Sequence, residues 1–367
     1  MSIMSIILFI IILALLIFVH ELGHFLIAKK AGVRVDEFGI GFPPRLWAKK
    51  VGETVYSINA FPVGGFVKIF GENPDEISLH GPEKGRSFAR KSTWVQASVV
   101  SAGVLFNLAL AWMLISAGFA FGVPYTADDS FYGTRVDNAE LGIVLVEKDS
   151  PAEEVGLKSG DRIVALSGGV DTLEYPTMES TQDFIATHEK VSLSYERDGD
   201  AQTVTVSPRE GLADGRRAIG ISMDMIGTLN LSWYEAPIAG FVTTATLTAD
   251  TVVGLFDFFK KMFVGDADFS SVSGPVGIVR IVGDASVLGL VHLISLVALI
   301  SINLAVINLF PFPALDGGRL LFIIVEAIKG SPIKPVITNS VNGLGFIFLI
   351  ILMVVITYSD IVKIVAG

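Results

Sequence analysis

Residues 3–28 read IMSIILFIIILALLIFVHELGHFLIA, a nearly unbroken apolar run with three ionisable side chains close to its end. About 20 apolar residues in a helix are enough to cross the hydrocarbon core of a bilayer. A removable signal peptide would have a basic segment before the run and a small-residue cleavage site after it, and neither is found here. We therefore predict that residues 3–28 form a retained membrane span.

Three further apolar stretches are long enough to cross a bilayer, at about 94–122, 286–313 and 341–362. Hydrophobic residues make up 51% of the 367 residues, and the mean hydropathy is +0.62. Charged residues still make up 17%, which leaves room for one soluble domain beside the spans. The predicted fold class is an α-helical polytopic membrane protein of about four transmembrane helices. It also includes a membrane-associated β-hairpin and an inserted α+β domain.

Two segments between the spans have compositions that predict β-structure. Residues 32–75, within the N-terminal membrane region at 1–122, are rich in glycine and aromatic residues. They predict a hairpin or small sheet close to the membrane. Residues 130–227 alternate strand, helix and turn patterns. Their stretch from Ser150 to Ile163 resembles PDZ domains, and the region has room for one such domain.

The sequence of residues 233–264 leaves open how this segment meets the membrane, because threonine and aspartate interrupt the apolar face of a helical pattern. The pattern predicts an amphipathic helix lying on the outer leaflet. A fifth span is the alternative, and it would invert the sidedness of everything after it. Residues 273–367 form the C-terminal membrane region, which holds the last two predicted spans.

The charge of the loops predicts the orientation of the chain. Residues 28–93 hold 11 Lys and Arg against 7 Asp and Glu, whereas residues 123–285 hold 12 against 26. Basic residues next to a span favour the cytoplasmic side, so residues 28–93 are predicted inside and the inserted domain outside. The net charge is −10 without a basic run. Nucleic acid is therefore not an expected partner, whereas the predicted spans make membrane lipid one.

The motif His20-Glu21-Leu22-Gly23-His24 carries the chemistry of the first span. Positions i and i+4 share one face of a helix, so both imidazoles can bind one Zn²⁺ ion. Glu21 lies beside them and can take a proton from a water molecule held at the site. Ionisable residues inside a span are costly, which indicates a functional role. The chain has no cysteine, so a metal must be held by histidine and carboxylate ligands.

A catalytic zinc ion takes a third protein ligand and keeps one position open. Glu37 and Glu53 are candidates in the loop that follows the motif, and Asp316 is the better one. Asp316 lies in NLFPFPALDGG, residues 308–318, at the end of the third predicted span. Counting the crossings places that end on the same side of the membrane as His24. The two prolines predict irregular backbone, which is tolerated at membrane depth where it is buried in protein or lines a wet cavity.

Taken together, these motifs resemble the site-2 protease family of intramembrane zinc metalloproteases, in particular its bacterial regulator-of-sigma-E protease type. The resemblance covers nearly the whole chain. It implies that His20, His24 and Asp316 bind one Zn²⁺ ion and that Glu21 is the catalytic base. It is carried by the first-span motif, the hairpin end PVGGF at 62–66, residues 103–107, the PDZ-like insert, Ser273-Gly274-Pro275 and residues 308–318.

The resemblance also implies how a substrate is held. Asn303 and Asn308 correspond to asparagines that help to hold substrate in the family. The Gly-rich hairpin, with Gly64 and Gly65, is implied to present a strand edge to an unwound substrate. A scissile segment must be extended, and extended backbone at membrane depth must find hydrogen-bond partners. The amide of Asn107 could serve the same task, with helix–helix hydrogen bonding as its alternative.

The implied function is regulated intramembrane proteolysis in the bacterial inner membrane, with the active site toward the cytoplasm. Single-span membrane proteins such as anti-sigma factors, and signal-peptide remnants, are the implied substrates. Well-known members of the family carry two PDZ domains in tandem, whereas this chain has space for one. Two alternatives remain: an inactive PDZ-bearing membrane scaffold, and a membrane-anchored zinc protease acting on soluble substrates. The intact His20, Glu21, His24 and Asp316 argue against the first alternative, and a motif inside an apolar run argues against the second.

Overall fold

The chain folds into two compact units. The computed structural model describes residues 2–73, 76–127, 132–197, 199–213, 216–265 and 273–366. Unit 1 consists of Met1–Gly118 and Tyr234–Gly367, and unit 2 consists of Phe119–Trp233. The predicted inserted domain, 130–227, falls within unit 2, although its residues 130, 131, 198, 214 and 215 lie outside the described residues.

Helices dominate unit 1, as the apolar stretches predict. Among the described residues, five helices are long and apolar enough to cross a membrane, judged by length and composition alone. They are α1, α3, α6, α8 and α10. In chain order, the α-helices within the described residues are α1 (Ile3–Lys30), α2 (Glu76–His80), α3 (Thr93–Phe121), α4 (Pro151–Glu154), α5 (Met178–Thr187), α6 (Ala236–Val264), α7 (Pro275–Val287), α8 (Leu290–Leu309), α9 (Asp316–Lys329) and α10 (Pro335–Ala366).

The predicted Gly-rich hairpin is present as β1 (Val35–Val51) and β2 (Thr54–Ile69), and it folds back on itself. Residues 37–40 of β1 pair with residues 55–58 on one side and 65–68 on the other. Register shifts beyond Ile40 allow this fold, because a bulge bends a strand and strengthens its twist. The result is a small sheet with four strand segments, in the order 45–51, 54–59, 35–42 and 61–69.

Unit 2 is built on one larger antiparallel sheet with a conventional core. Its strand order is β3-β11-β4-β5-β7-β8, and β6 pairs with β5. Leu166 and Leu193 of this sheet are fully buried, in a core cluster that also includes Ala152 of α4 and Ile185 of α5. The strands are β3 (Val123–Thr126), β4 (Val136–Val146), β5 (Arg162–Gly168), β6 (Asp171–Glu174), β7 (Val191–Arg197), β8 (Asp200–Val206), β9 (Arg209–Ala213), β10 (Arg216–Ala218) and β11 (Ile221–Leu229).

Helix α6 occupies the segment for which the sequence predicts a surface helix. Its beginning contacts α3, where the Trp112 indole donates a hydrogen bond of 2.8 Å to the Pro237 carbonyl. Its middle packs against α8, and the ring of Phe259 stacks on Phe310 just beyond the end of α8, with centroids 4.7 Å apart. From its middle to its end, the helix therefore packs beside α8.

The end of the short helix α7 lies close to the beginning of α1. Its Gly283 lies so close to Ser5 that an added Cβ would be 2.5 Å from the Ser5 hydroxyl. Leu293 and Leu296 near the beginning of α8 belong to the same core cluster as Leu8, Phe9 and Ile12 of α1, and Asp316, beyond the end of α8, contacts His20. Helix α8 consequently runs in the same direction as α1.

Candidate metal centre

Three side chains that could bind a metal ion meet in the interior of unit 1. His20 and His24 lie one turn apart on α1 and are 7% and 9% exposed. Asp316 is the first residue of α9, and the irregular segment after α8 carries it back toward α1. The ligand atoms of these three residues all lie within 4.8 Å of one another. The sequence predicts this set from residues almost 300 positions apart.

The distances fit a zinc ion. His20 Nε2 is 3.0 Å from Asp316 Oδ2, His24 Nε2 is 3.3 Å from the same oxygen, and the two Nε2 atoms are 3.1 Å apart. Ligand atoms about 2.0–2.1 Å from a tetrahedral zinc ion lie about 3.3 Å from one another. Two imidazole nitrogens and one carboxylate oxygen also form a ligand set that zinc proteases use, and it leaves the fourth position open.

The far side of each imidazole has a partner that orients it. His24 Nδ1 donates a hydrogen bond of 2.8 Å to the carbonyl oxygen of Val99 on α3. That bond places the proton on Nδ1 and leaves the Nε2 lone pair free for a metal. Val99 was not predicted from the sequence, because the contact is made by a backbone oxygen and no residue type marks it.

Asn107 lies against the other imidazole. Its side-chain amide is fully buried 3.4 Å from His20 Nδ1, and its Oδ1 is a buried acceptor without a partner in the described part of the chain. Turning the amide by 180° lets Oδ1 accept the Nδ1 proton, which again leaves Nε2 free. These contacts point to a role in orienting His20. Substrate binding by Asn107 therefore stays a prediction without support from its surroundings.

Close packing of α1 on α3 makes room for the two rings. A Cβ added to Gly103 would be 2.4 Å from His24 Nε2 and 2.6 Å from His20 Cε1. One added to Gly23 would be 2.5 Å from the carbonyl oxygen of Ala102. Real Cβ contacts are not this short, so both positions must be glycine for the helices to approach. Residues 103–107 stand out in the sequence as a motif, but this role of Gly103 becomes visible only in the packing.

A cavity of about 210 Å³ opens beside His20, His24 and Asp316. Glu21 lines it, which is the position that a base next to the metal needs. The strand segment 61–69 forms another wall through Phe66, Val67 and Ile69. An added Cβ on Gly65 would be 3.6 Å from Glu21 Cγ, so the backbone of this edge strand passes directly beside Glu21. Gly64 takes a positive φ of +107°, which favours glycine at this bend.

The other candidate carboxylates are engaged elsewhere. Glu37 accepts hydrogen bonds from Arg45 and Ser57. Glu53 pairs with Lys29 and Arg86, and hydrogen bonds from these two cations lower the pKa of its carboxyl to about 2. Asn303 and Asn308 are half-buried on α8 and are not among the residues that line the cavity. Their predicted contact with substrate is therefore left as a prediction.

Known proteins resemble this chain over nearly its whole length. The model of the family described as peptidase family M50 matches residues 8–352. A protein of Clostridium acetobutylicum assigned to the zinc metalloproteases is 34% identical over 365 residues, which cover 99% of this chain and 98% of that protein. The zinc metalloprotease RasP of Shouchella clausii is 31% identical over 438 aligned positions, covering 97% of this chain and 98% of that protein.

The regulator of sigma-W protease of Bacillus subtilis is 28% identical over 442 aligned positions, which cover 98% of this chain and 99% of that protein. The alignment is longer than the 367 residues of this chain, so the Bacillus protein has segments that are not present here.

Proposed function

The chain belongs to peptidase family M50 and is a multi-pass membrane zinc metalloprotease, and we propose that it cleaves membrane-spanning segments of other proteins inside the bilayer. The proposed zinc ligands are His20, His24 and Asp316, with Glu21 as the catalytic base. The observation that carries the proposal is the depth of this centre within an apolar helix.

That depth follows from the length of α1. The helix runs from Ile3 to Lys30, and its last turn carries Lys29 and Lys30. At 1.5 Å per residue, His20 lies about 15 Å and His24 about 9 Å from the lysine end. Lysines at a span end lie at the interface between membrane and water. The proposed active site is therefore below that interface, where a bond within a membrane span can be reached.

The residues present fit hydrolysis of a peptide bond. A zinc ion held by His20, His24 and Asp316 would polarise the scissile carbonyl and lower the pKa of the attacking water. The Glu21 carboxylate accepts the proton of that water and then donates it to the leaving amine. The bond to Val99 holds His24 in the tautomer with a free Nε2, and Asn107 would hold His20 in the same way with its amide turned by 180°.

The edge of the small sheet supports binding of an extended substrate. Segment 61–69 pairs with 35–42 on one side, and the part of it that lines the cavity lies beside Glu21. A substrate strand added to this edge would satisfy its backbone hydrogen bonds at a depth where water does not. Gly64 and Gly65 would contribute backbone to that pairing, since they lack side chains that would hold the substrate away.

The proposed orientation places the lysine end of α1 and the metal centre toward the cytoplasm of a bacterial cell, at the inner membrane. The excess of basic residues in 28–93 supports this orientation. We further propose that α6 is a fifth crossing, since it runs along α8 as far as Phe310. The inserted domain follows α3, so in this proposal it lies on the outer side.

Unit 2 is proposed to be a PDZ-like domain with a peptide groove. β4 pairs with β11 from Ile221 to Leu229, whereas β3 pairs only from Ile226 onward, which leaves the first residues of β11 with a free edge. A cavity of about 410 Å³ lies along this edge, between it and Gln182 and Ile185 of α5. A free edge beside a helix is suited to an added peptide strand. The domain would act in one of two ways. It would capture the newly exposed C-terminus of a substrate that has already been trimmed, or it would exclude substrates with bulky outer domains by its volume. We favour exclusion.

The proposed substrates are single-span membrane proteins, such as anti-sigma factors, and signal-peptide remnants. One relative is named as a regulator of sigma-W protease, which supports a regulatory substrate of this kind.

The test of the proposed function uses the full chain in lipid nanodiscs with a tagged single-span substrate. Mass spectrometry of the two products should place the cut inside the substrate span. Replacing helix-destabilising Gly, Pro or Asn residues of that span by Leu should slow cleavage, because local unwinding then costs more. Cuts confined to the loops flanking the span, at rates that ignore these replacements, would rule out intramembrane cleavage.

A second experiment separates the two roles of unit 2. Gln182→Trp fills the groove from an exposed position on α5, while the volume of the domain is unchanged. Loss of cleavage of already trimmed substrates in this variant would support capture. Exclusion predicts unchanged cleavage of trimmed substrates in Gln182→Trp. It also predicts new cleavage of bulky substrates when residues 130–227 are replaced by a short flexible join.

A further inference from the structure

An ion pair in the wall of the active-site cavity has no role in the proposed chemistry. Arg319 and Glu72 line the cavity together with Glu21 and Asp316. The Arg319 guanidinium donates through Nη1 to the Glu72 carboxylate and, at 2.8 Å, through Nη2 to the Glu72 backbone carbonyl. It also lies over the ring of Phe88, 5.0 Å from the centroid.

Glu72 and Arg319 join the strand proposed to bind the substrate to the helix that carries a proposed metal ligand. Arg319 is three residues after Asp316 on α9, so the two side chains lie on neighbouring positions of one helical face. Glu72 is three residues after Ile69, the end of edge segment 61–69, and its amide bonds back to the Ile69 carbonyl at 3.2 Å. The ion pair therefore ties the edge strand to the helix that carries the proposed metal ligand.

The form of the contact suits a rigid tie. Arg319 bonds the backbone of residue 72 as well as its side chain, so it holds the main chain that leaves the strand. A guanidinium is planar and presents its donors in a fixed fork, whereas a lysine ammonium makes a single mobile contact. Phe88 is 5% exposed and belongs to the same core cluster as Ile69 and Val99, so the ring over which Arg319 lies is held in place by the core.

We propose that Arg319 is a positioning residue that sets which peptide bond of the substrate meets the metal centre. This inference rests on the proposed function. A substrate paired with the edge strand advances about 3.3 Å per residue, and successive residues face opposite sides. A movement of the strand by that amount relative to Asp316 would bring a neighbouring bond to the zinc ion. By bonding the end of the strand to α9, Arg319 holds this register constant.

The experiment maps the products of the full chain in nanodiscs acting on a single-span substrate. Arg319→Gln should lower kcat by about 10- to 100-fold, because a misplacement of about 1 Å in the reacting geometry has effects of that size. KM should change less. The cut should spread from one principal bond to its neighbours, as read from the product masses, while zinc content stays at one ion per chain.

Two further variants keep the test open should Arg319→Gln fail to fold. Arg319→Lys retains the charge but not the fork, so the spread of cuts should persist. Glu72→Gln keeps the contact with the backbone carbonyl and should show a smaller spread. Arg280→Gln on α7 is the control, since Arg280 forms an exposed pair with Asp284 at 4.0 Å, and it should cleave as the unaltered protein does.

The outcomes separate this inference from the proposed function. An unchanged principal cut in all three variants, whether or not the melting temperature or zinc content falls, would overturn the positioning role and leave a structural ion pair. Retained in-span cleavage by the unaltered protein would show in the same experiment that the proposed function still holds. Cuts outside the span in the unaltered protein would instead defeat the proposed function itself.

Discussion

Helix α1 meets two clusters of ionisable side chains, and they are built in opposite ways. The cluster at His20, Glu21 and His24 lies inside the apolar part of the helix, where each histidine is less than a tenth exposed. The cluster at the end of the helix joins Lys29 to Glu53, whose side chains are 35% and 31% exposed. We call the first the buried cluster and the second the exposed cluster, which also includes Arg86, Glu83, Arg34 and Asp36.

The difference lies in how many partners each group has. In the exposed cluster Glu53 accepts from both Lys29 and Arg86, so the loss of one bond leaves another. Exposed ion pairs of this kind contribute about 0–1 kcal/mol each. In the buried cluster each residue is proposed to have a separate task, as ligand or as base, so its loss removes that task. Substitutions should therefore have large effects on activity in the buried cluster and small effects on stability in the exposed one.

The largest effect is expected for Glu21→Gln. The variant loses the base but no zinc ligand, so cleavage should fall by more than the ~10²–10⁴ usual for one acid–base group, with zinc content unchanged. The measurement is the cleavage rate of a single-span substrate alongside metal analysis. Glu53→Gln in the exposed cluster is the matched control and should keep its activity. Substantial residual cleavage by Glu21→Gln would end the role assigned to this carboxylate.

Asp316→Asn should weaken zinc binding as well as activity, since the only carboxylate among the three proposed ligands is replaced. Loss of a residue that merely supports a ligand weakens metal binding about 10- to 100-fold, and loss of a ligand should exceed that range. Zinc affinity is measured by competition with a chelator. Glu37→Gln is the control, because Glu37 is engaged by Arg45 and Ser57. Depletion of zinc by the control, with Asp316→Asn unaffected, would mean that the third ligand is wrongly chosen.

Gly103→Ala tests whether the buried cluster depends on close helix packing. The added methyl group would meet His24 Nε2 at 2.4 Å, so the rings or the helices must move. Overpacking of this kind costs about 1–3 kcal/mol, and here it also displaces proposed ligands, so zinc content and activity should fall together. Gly254→Ala in α6 is the matched control. It meets nothing within 4 Å and should stabilise the helix by up to about 1 kcal/mol. Equal behaviour of the two variants would contradict the packing argument.

The two clusters also show which features the sequence can predict. The i, i+4 spacing brings His20 and His24 to one face through helix geometry alone, so local sequence predicts it. Asp316 could be chosen because it lies in a proline-broken segment at a span end, on the side of the membrane predicted for His24. The contacts from α3 could not be assigned, because they depend on how α3 is rotated and shifted against α1. Of these, Val99 contributes only a backbone oxygen and Gly103 only the absence of a side chain.

The same limit applies to the detailed shape of the small sheet and to helix α6. The hairpin folds into four strand segments because of register shifts after Ile40, and such shifts leave no fixed signal in composition. Threonines in α6 weaken its apolar pattern and favour a surface helix. In the structure Thr244, Thr248 and Thr251 donate their hydroxyl hydrogens to the carbonyl four residues before, so these polar groups are satisfied within the helix. A helix of this kind can lie beside other spans without exposing an unpaired hydroxyl.

The smallest effect is expected in the exposed cluster, from Glu53→Gln and from pH. Hydrogen bonds from Lys29 and Arg86 lower the pKa of Glu53 from 4.5 to about 2, so the folded state favours the ionised carboxylate. A depressed pKa stabilises the fold fully above pH 4.5, and the contribution is lost as pH falls through 2. At pH 3 about 40% of it should remain.

Because the Glu53 pairs are partly exposed, their total contribution should be at most about 1 kcal/mol, and the melting temperature should fall by about 2 °C or less in Glu53→Gln at pH 7. The difference in melting temperature between the two proteins should be constant between pH 7 and pH 5 and smaller at pH 3. At pH 3, protonation of Glu53 in the unaltered protein removes the same charge that the substitution removes. A difference that stays constant down to pH 3 would mean that the charge of Glu53 is not its source. A loss of activity at pH 7 in Glu53→Gln would break the comparison itself, because it would mean that the exposed cluster takes part in what the buried cluster does.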